Sequence, residues 1–312
     1  MNTGYTYRDT VRARFAGISV LDFYATRYPK AGREGWRERI ANGQVRLNDN
    51  LAPADLILRA GDRLSYHRPP WEEPAAPTDV PVVFEDDALF VVNKPAGLPV
   101  LPGGGFLENT VVWLLRRGRS DLRVLSPAHC LDRGTSGLLL FGRNRAALSA
   151  LGRALHRHRV SRVYLAVLEG IVAEDEFSIG APIGPEIHPR LGPVHVACPT
   201  GKPSRTDFGV LERDESSQTT LVQATPQTGR THQIRIHAAV AGHPLAGDPF
   251  YVRGGKWDAG SASGPGTIPL PGDGGFRLHA WQLEFAHPRT GATVHLSCPP
   301  PEGFWKGTPA AS

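Results

Sequence analysis

His129-Cys130-Leu131-Asp132-Arg133-Gly134-Thr135-Ser136-Gly137 runs directly into Leu138-Leu139-Leu140-Phe141. The apolar run reads as a buried strand, and the residues before it form a loop rich in Gly, Thr and Ser. An aspartate in such a loop is expected to be held by local backbone hydrogen bonds and aimed into a cleft. Asp before a turn is also a common structural choice, so the stretch alone leaves both readings open.

Outward from this strand, other apolar runs follow the same pattern. They are Val82 to Phe84, Leu89 to Val92, Val163 to Leu168, Thr219 to Ala224, Trp281 to Phe285 and Thr293 to Leu296. Helical periods are fewer. Ala147, Leu148, Leu151 and Leu155 mark one, and Thr231 to Ala241 another. Many strands, long loops, few helices and no βαβ alternation predict an α+β fold with a mixed or antiparallel sheet. Residues 254–275 include eight glycines and read as a mobile loop or insertion.

Five prolines between Pro69 and Pro81 read as a semi-rigid linker. They divide the chain into residues 1–68, the linker 69–81, and a larger domain 82–312. In the first piece Val20, Leu21, Phe23 and Tyr24 suggest a helix, and Trp36 to Ile40 a second one stopped at Asn42-Gly43. Gln44 to Leu47 and Arg63 to Tyr66 suggest strands, with a turn at Asn48-Asp49-Asn50.

Composition narrows the class. A length of 312 residues suits about two domains. With 40% apolar and 21% charged residues, the chain is neither disordered-acidic nor collagen-like. No apolar run approaches the roughly 20 residues of a membrane span, and the N-terminus has no signal-peptide core. Cys130, Cys198 and Cys298 are too few and too scattered for a disulfide framework or a zinc site. A cytoplasmic protein is expected. The net charge of +5 is mildly basic, and only five of the 35 basic residues are lysine. Arginine suits phosphate and base stacking, and an Arg-rich chain also follows from a GC-rich genome.

Two further stretches carry polar residues in an apolar frame. In Thr228-Gly229-Arg230-Thr231-His232-Gln233-Ile234-Arg235, Gly229 sits where a helix is expected to begin. His232 and Arg235 then share a face, where an arginine pairs with a carboxylate or a phosphate, or lies on a solvated helix end. In Arg162-Val163-Tyr164-Leu165-Ala166-Val167, strand alternation puts Arg162 and Tyr164 on one face. That is either a base-stacking platform or an ordinary core tyrosine.

Six segments in order then resemble the RluA-type family of RNA pseudouridine synthases. They are EDDALFVVNKPAGLPV (85–100), HCLDRGTSGLLLFGRN (129–144), RVYLAVLEG (162–170), GKPSRTDF (201–208), TGRTHQIRIHAAVAGHPLAGDPFY (228–251) and LHAWQLEFAHPRTG (278–291). The order helix, helix, strand, with ANGQVRLNDN and RAGDRLSY, resembles a small S4-like RNA-binding domain at the N-terminus. The resemblance implies that Asp132 is the essential aspartate, Tyr164 stacks on the target base, and Arg235 pairs with Asp132. It implies RNA contacts from Arg133, Arg162, Lys202, Arg230 and His232. It departs from the family at Cys130, where relatives usually carry an arginine that fills the stack left by a flipped base. Arg133 is a candidate substitute.

The implied reaction detaches uracil from C1′, turns it and rejoins it through C5. No atom is gained or lost, so no redox cofactor or energy donor is needed, and the sequence has no nucleotide-binding loop or metal spacing. Asp132 serves either as nucleophile at C1′ or as base at C2′, and the sequence does not choose. The expected partner is ribosomal or transfer RNA, bound by a monomer without a membrane or a nucleotide cofactor. A non-catalytic RNA-binding protein and a nucleoside hydrolase are the alternatives. Retention of Asp132, Tyr164 and Arg235 argues against the first, and the appended S4-like piece against the second.

Overall fold

A computed structural model describes residues 1–258 and 270–306. Part of the glycine-rich stretch 254–275, expected to be a mobile loop, therefore lies outside the described residues. The chain divides into two compact units, Met1–Glu73 and Pro74–Ser312.

In the first unit the strands are β1 (Tyr5–Thr10), β2 (Val45–Leu47), β3 (Asn50–Leu51) and β4 (Arg63–Arg68). The helices are α1 (Val20–Arg27) and α2 (Gly32–Ala41). The sheet order is β1-β4-β2-β3, antiparallel throughout. Ser19 caps α1 by accepting the Asp22 amide at 3.0 Å. The apolar face of α1 buries Val20, Leu21, Phe23 and Tyr24 against Trp36, Val45, Leu64 and Tyr66. Asn48 and Asp49 both have positive φ, which gives the two-residue hairpin turn between β2 and β3 its twist.

The second unit continues with β5 (Val82–Glu85), β6 (Leu89–Lys94), α3 (Val111–Arg116), β7 (Ser126–Pro127), β8 (Ser136–Gly142), α4 (Arg145–His156) and β9 (Ser161–Glu169). Then come β10 (Glu176–Ile179), β11 (Ile183–His188), β12 (Gly192–Ala197), β13 (Thr206–Asp214), β14 (Thr219–Pro226) and α5 (Gln233–Val240). The last strands are β15 (Tyr251–Val252), β16 (Lys256–Trp257), β17 (Leu278–Ala286) and β18 (Thr293–Ser297). The main sheet runs β10-β13-β14-β9-β17-β8-β6-β5, with β18 on β17 and β7 on β8. Among the described residues its pairs are antiparallel except β17 with β8, so the expected α+β fold with a mixed sheet is what forms.

β8 is buried along its whole length, as its unbroken apolar run requires. Leu139 and Phe141 enter the core shared with α3 and α5, while Leu138 and Leu140 enter the one under α4. Each fully buried Leu or Phe contributes about 1.5–3 kcal/mol. Gly137 has a φ of +106°, and a Cβ there would lie 2.3 Å from the Ala280 carbonyl oxygen. Only glycine allows β17 to approach β8 this closely. Beside it, the Ser136 hydroxyl donates to His279 Nδ1 at 2.9 Å, because Nε2–H is given to the Cys298 carbonyl at 3.0 Å.

The Pro-rich segment forms no helix or strand, and each part is tied to its own unit. The Asn2 amide donates to the Trp71 carbonyl, whereas Ala76 and Val80 pack on the core of the second unit.

Candidate active site

The Asp132 loop is clamped from below. The Thr135 amide donates to the Asp132 carbonyl at 3.1 Å and the Gly97 amide to the Arg133 carbonyl at 2.7 Å. Lys94, fully buried, donates Nζ protons to the carbonyls of Pro95, Leu98 and Arg133 at 2.9, 2.8 and 3.1 Å. Burial pushes its pKa down to about 7, against the attraction of Asp132. Three carbonyl acceptors nevertheless match the three N–H donors of the ammonium form.

The backbone of the loop is thus held locally as expected, but the Asp132 carboxylate is not. Its partners are side chains at the start of α5, about a hundred residues later. Arg235 Nη1 lies 3.4 Å from Oδ2 and His232 Nε2 lies 3.6 Å from Oδ1. The helix begins at Gln233 rather than near Gly229, and His232 is its N-terminal cap, with a left-handed backbone (φ 56°). That turn swings the imidazole round to the same side as Arg235. Gln233 closes the preceding loop, its Oε1 accepting from the Thr228 hydroxyl at 2.7 Å and the Arg230 amide at 3.0 Å.

Arg235 is fully buried, and a second carboxylate accounts for it. Asp248, also fully buried, accepts Nε at 2.7 Å and Nη2 at 2.8 Å in a two-pronged pair. The Pro271 carbonyl accepts Nη1 at 2.5 Å, and the Phe276 ring lies 4.1 Å below the guanidinium. Burial works against the charge, but the hydrogen bonds and charge of Asp248 outweigh it and raise the Arg235 pKa. Asp248 also accepts the amides of Phe250 and Tyr251, which fixes the turn that carries it.

Asp132, His232 and Arg235 line a cleft of about 710 Å³ together with Cys130, Arg162, Tyr164 and Arg230. Tyr164 sits on β9 opposite Ala280 of β17 and Ala224 of β14, two small neighbours that leave room for its ring. Burial raises its pKa, so the hydroxyl keeps its proton. Arg162 donates Nη2 to the Thr228 carbonyl at 3.1 Å.

The structure therefore brings Asp132, Tyr164, Arg235, Arg162, Arg230 and His232 to one cleft. It does not bring Arg133 or Lys202 there. Arg133 donates to Asp273 Oδ1 at 2.9 Å and to the Gly272 carbonyl at 3.2 Å, away from the cleft lining. Lys202 is exposed outside the cleft. Arg230 gives both Nε and Nη2 to the Pro203 carbonyl. Cys130 is exposed at the cleft, yet partial desolvation of its thiol, and then the Asp132 charge, raise its pKa, the reverse of an activated nucleophile.

Lys94, Asp248 and Tyr251 carry the site without having been assigned roles from sequence. One signal was present for Lys94: a lysine ends an apolar strand in a chain that mostly writes arginine. A planar guanidinium cannot satisfy three carbonyls converging on one point as an ammonium does.

Known proteins match this chain over both its sequence and its shape. The family model for RNA pseudouridylate synthase matches residues 88–240. RNA pseudouridine synthase 5 of Arabidopsis thaliana is 38% identical over 91% of this chain and 89% of its own. Ribosomal large subunit pseudouridine synthase C of Escherichia coli is 34% identical over 94% and 93%. The solved structure of human RNA pseudouridylate synthase domain containing 1 superposes with a TM-score of 0.54 at 28% identity, covering 74% of this chain and 87% of that one.

Proposed function

The chain belongs to the RNA pseudouridine synthases, and from that premise we propose that it isomerises particular uridines of ribosomal or transfer RNA in the cleft around Asp132. The observation that carries this is a carboxylate held by Arg235, with the His232 imidazole beside it, in a cleft whose wall includes Tyr164.

The reaction is an atom-balanced exchange. The N1–C1′ bond breaks, the uracil turns, a C5–C1′ bond forms, the C5 proton leaves and N1 takes one up. Asp132, as nucleophile at C1′ or base at C2′, supplies the reacting carboxylate. Arg235 holds that carboxylate in place, since its own orientation is locked by Asp248. Tyr164 offers a stacking face to the detached base. Walls of buried side chains keep it from diffusing away during the turn. A base paired in folded RNA must first be unstacked, so a loop uridine is the cheaper target. With Cys130 where relatives carry the stack-filling arginine, and Arg133 committed elsewhere, such a loop uridine is the substrate we favour.

Residues 1–68 are proposed as the S4-like module that contacts RNA, with Arg33 and Arg37 exposed along α2. Their ion pairs with Asp22 and Glu34 are solvent-exposed, and such pairs yield readily to phosphate. Three free thiols suit a reducing cytoplasm, and a monomer suits wrapping around a large RNA.

The test is pseudouridine mapping of total RNA, at single-nucleotide resolution, from cells with and without the gene. One or a few sites should vanish and return with the wild-type gene but not with Asp132→Asn. The purified variant should still bind the RNA. Sites restored by Asp132→Asn would end the role given to Asp132.

A further inference from the structure

Tyr251 decides which nitrogen of His232 carries a proton. The Tyr251 hydroxyl donates to the His195 carbonyl at 2.8 Å, which uses its only proton. The 2.7 Å contact between Tyr251 Oη and His232 Nδ1 is then donated by Nδ1–H. A neutral imidazole in that tautomer presents a lone pair at Nε2. Burial lowers the His232 pKa, which keeps the ring neutral despite the Asp132 charge.

Nε2 therefore faces Asp132 Oδ1 at 3.6 Å as one acceptor beside another. Both atoms belong to side chains that line the cleft. The nearest cation does not fill the gap, because Arg235 is committed to Asp248, the Pro271 carbonyl and Asp132 Oδ2. Two adjacent acceptors, with no donor between them among the described residues, are a receptor for a hydroxyl. In either role for Asp132, the ribose must put C1′ and C2′ at that carboxylate. The donor that a ribose carries at C2′ is its 2′-hydroxyl.

We propose that His232 Nε2, beside Asp132 Oδ1, accepts the 2′-hydroxyl of the target nucleotide, so that this imidazole reads ribose against deoxyribose and seats C1′ and C2′ at the carboxylate. The inference rests on the pseudouridine synthase reading and adds a specificity residue to it. Tyr251 acts through His232 as a positioning residue, by fixing its tautomer.

The experiment is a two-by-two comparison. The RNA is a stem–loop around a uridine found by the mapping above, with ribose or 2′-deoxyribose at that uridine. The proteins are the full-length wild type, His232→Asn and Tyr251→Phe. Asn tolerates the left-handed backbone at 232, so the fold is kept. Single-turnover rate and Kd are both read, so a substrate slow in chemistry still reports through binding. Wild type should prefer the ribose substrate by about 10-fold, the worth of one hydrogen bond in a cleft. His232→Asn should lose that preference to ~2-fold or less, by weakening on the ribose substrate alone. Tyr251→Phe, which frees the tautomer but keeps the imidazole, should shrink the preference too. A His232→Asn variant that weakens equally on both substrates would make the residue merely structural and overturn the proposal. So would a wild type indifferent to the 2′-hydroxyl. A wild type that leaves every ribose substrate unmodified would instead sink the functional reading itself.

Discussion

Replacing Asp248 with Asn should unseat Arg235 without touching the cleft surface. The side chains of Asp248 and Arg235 have no solvent exposure, and the Asp248 carboxylate accepts four hydrogen bonds: from Nε and Nη2 of Arg235 and from the amides of Phe250 and Tyr251. Asn keeps one oxygen for the amides and Nη2. Its NH2 group then points at Arg235 Nε, donor against donor. The guanidinium is left with Asp132 at 3.4 Å and the Pro271 carbonyl. Removing one partner of a buried pair costs about 3–5 kcal/mol. For a unit of this size, that lowers Tm by on the order of 10 °C. Thermal unfolding of the full chain measures the loss, and single-turnover kinetics the accompanying fall in rate. The double variant Arg235→Met, Asp248→Leu is the control. It removes both charges and fills the volume, so most of the stability should return while turnover stays lost. If Asp248→Asn costs less than about 1 kcal/mol, or if the double variant is no more stable than the single one, Asp248 does not hold the arginine's charge.

Four other outcomes follow from the geometry. Burial, with Arg162 nearby, pushes the His129 pKa from 6.5 down to about 4, so between those values only the unfolded chain takes up its proton. Stability should fall as pH drops through that window, by no more than about 3 kcal/mol from this residue, and His129→Gln should flatten the dependence of the urea midpoint; an unchanged slope would refute it. Gly137→Ala, with its Cβ 2.3 Å from the Ala280 oxygen, should cost about 3 kcal/mol or more, and a wild-type Tm would show that β17 can move aside. The Tyr164 hydroxyl is proposed to assist loss of the C5 proton, so Tyr164→Phe, which keeps the stacking face, should form product roughly 100-fold slower, and a wild-type rate would confine Tyr164 to stacking. Cys130→Ala should turn over within about 2-fold of wild type, and complete loss would revive a reactive cysteine.

The parts of the fold legible in the sequence are those whose burial is uniform or periodic. Leu138 to Phe141, Leu89 to Val92 and Val163 to Leu168 became β8, β6 and β9 because each run is covered on both faces. β1 escaped notice because Tyr5 to Thr10 lies on a sheet edge with its side chains partly in water. β11 and β12 escaped because Pro185 and Pro193 break the strand pattern, which a two-stranded ribbon tolerates at its edges. In the site, Asp132, Arg235 and His232 were readable as residue types suited to chemistry. Asp248 was not, because its role exists only once α5 is packed and Arg235 needs a counter-charge. The placement of Arg133 has the same origin: a half-buried loop arginine finds its partner, Asp273, in a segment 140 residues away.

The position of β17 also governs when the enzyme is born. Asp132 precedes β8 and Tyr164 lies on β9, and these consecutive strands do not pair with each other. The strand between them comes from Leu278–Ala286, near the end of the chain. During synthesis at about 5–20 residues per second, the two halves of the sheet stay unjoined for several seconds after Asp132 and Tyr164 have left the ribosome. Closing them carries the entropy of a very long loop, so joining is expected to be the slow step of folding. An incomplete chain then has no assembled cleft, and RNA near the ribosome meets the catalyst only as a finished molecule.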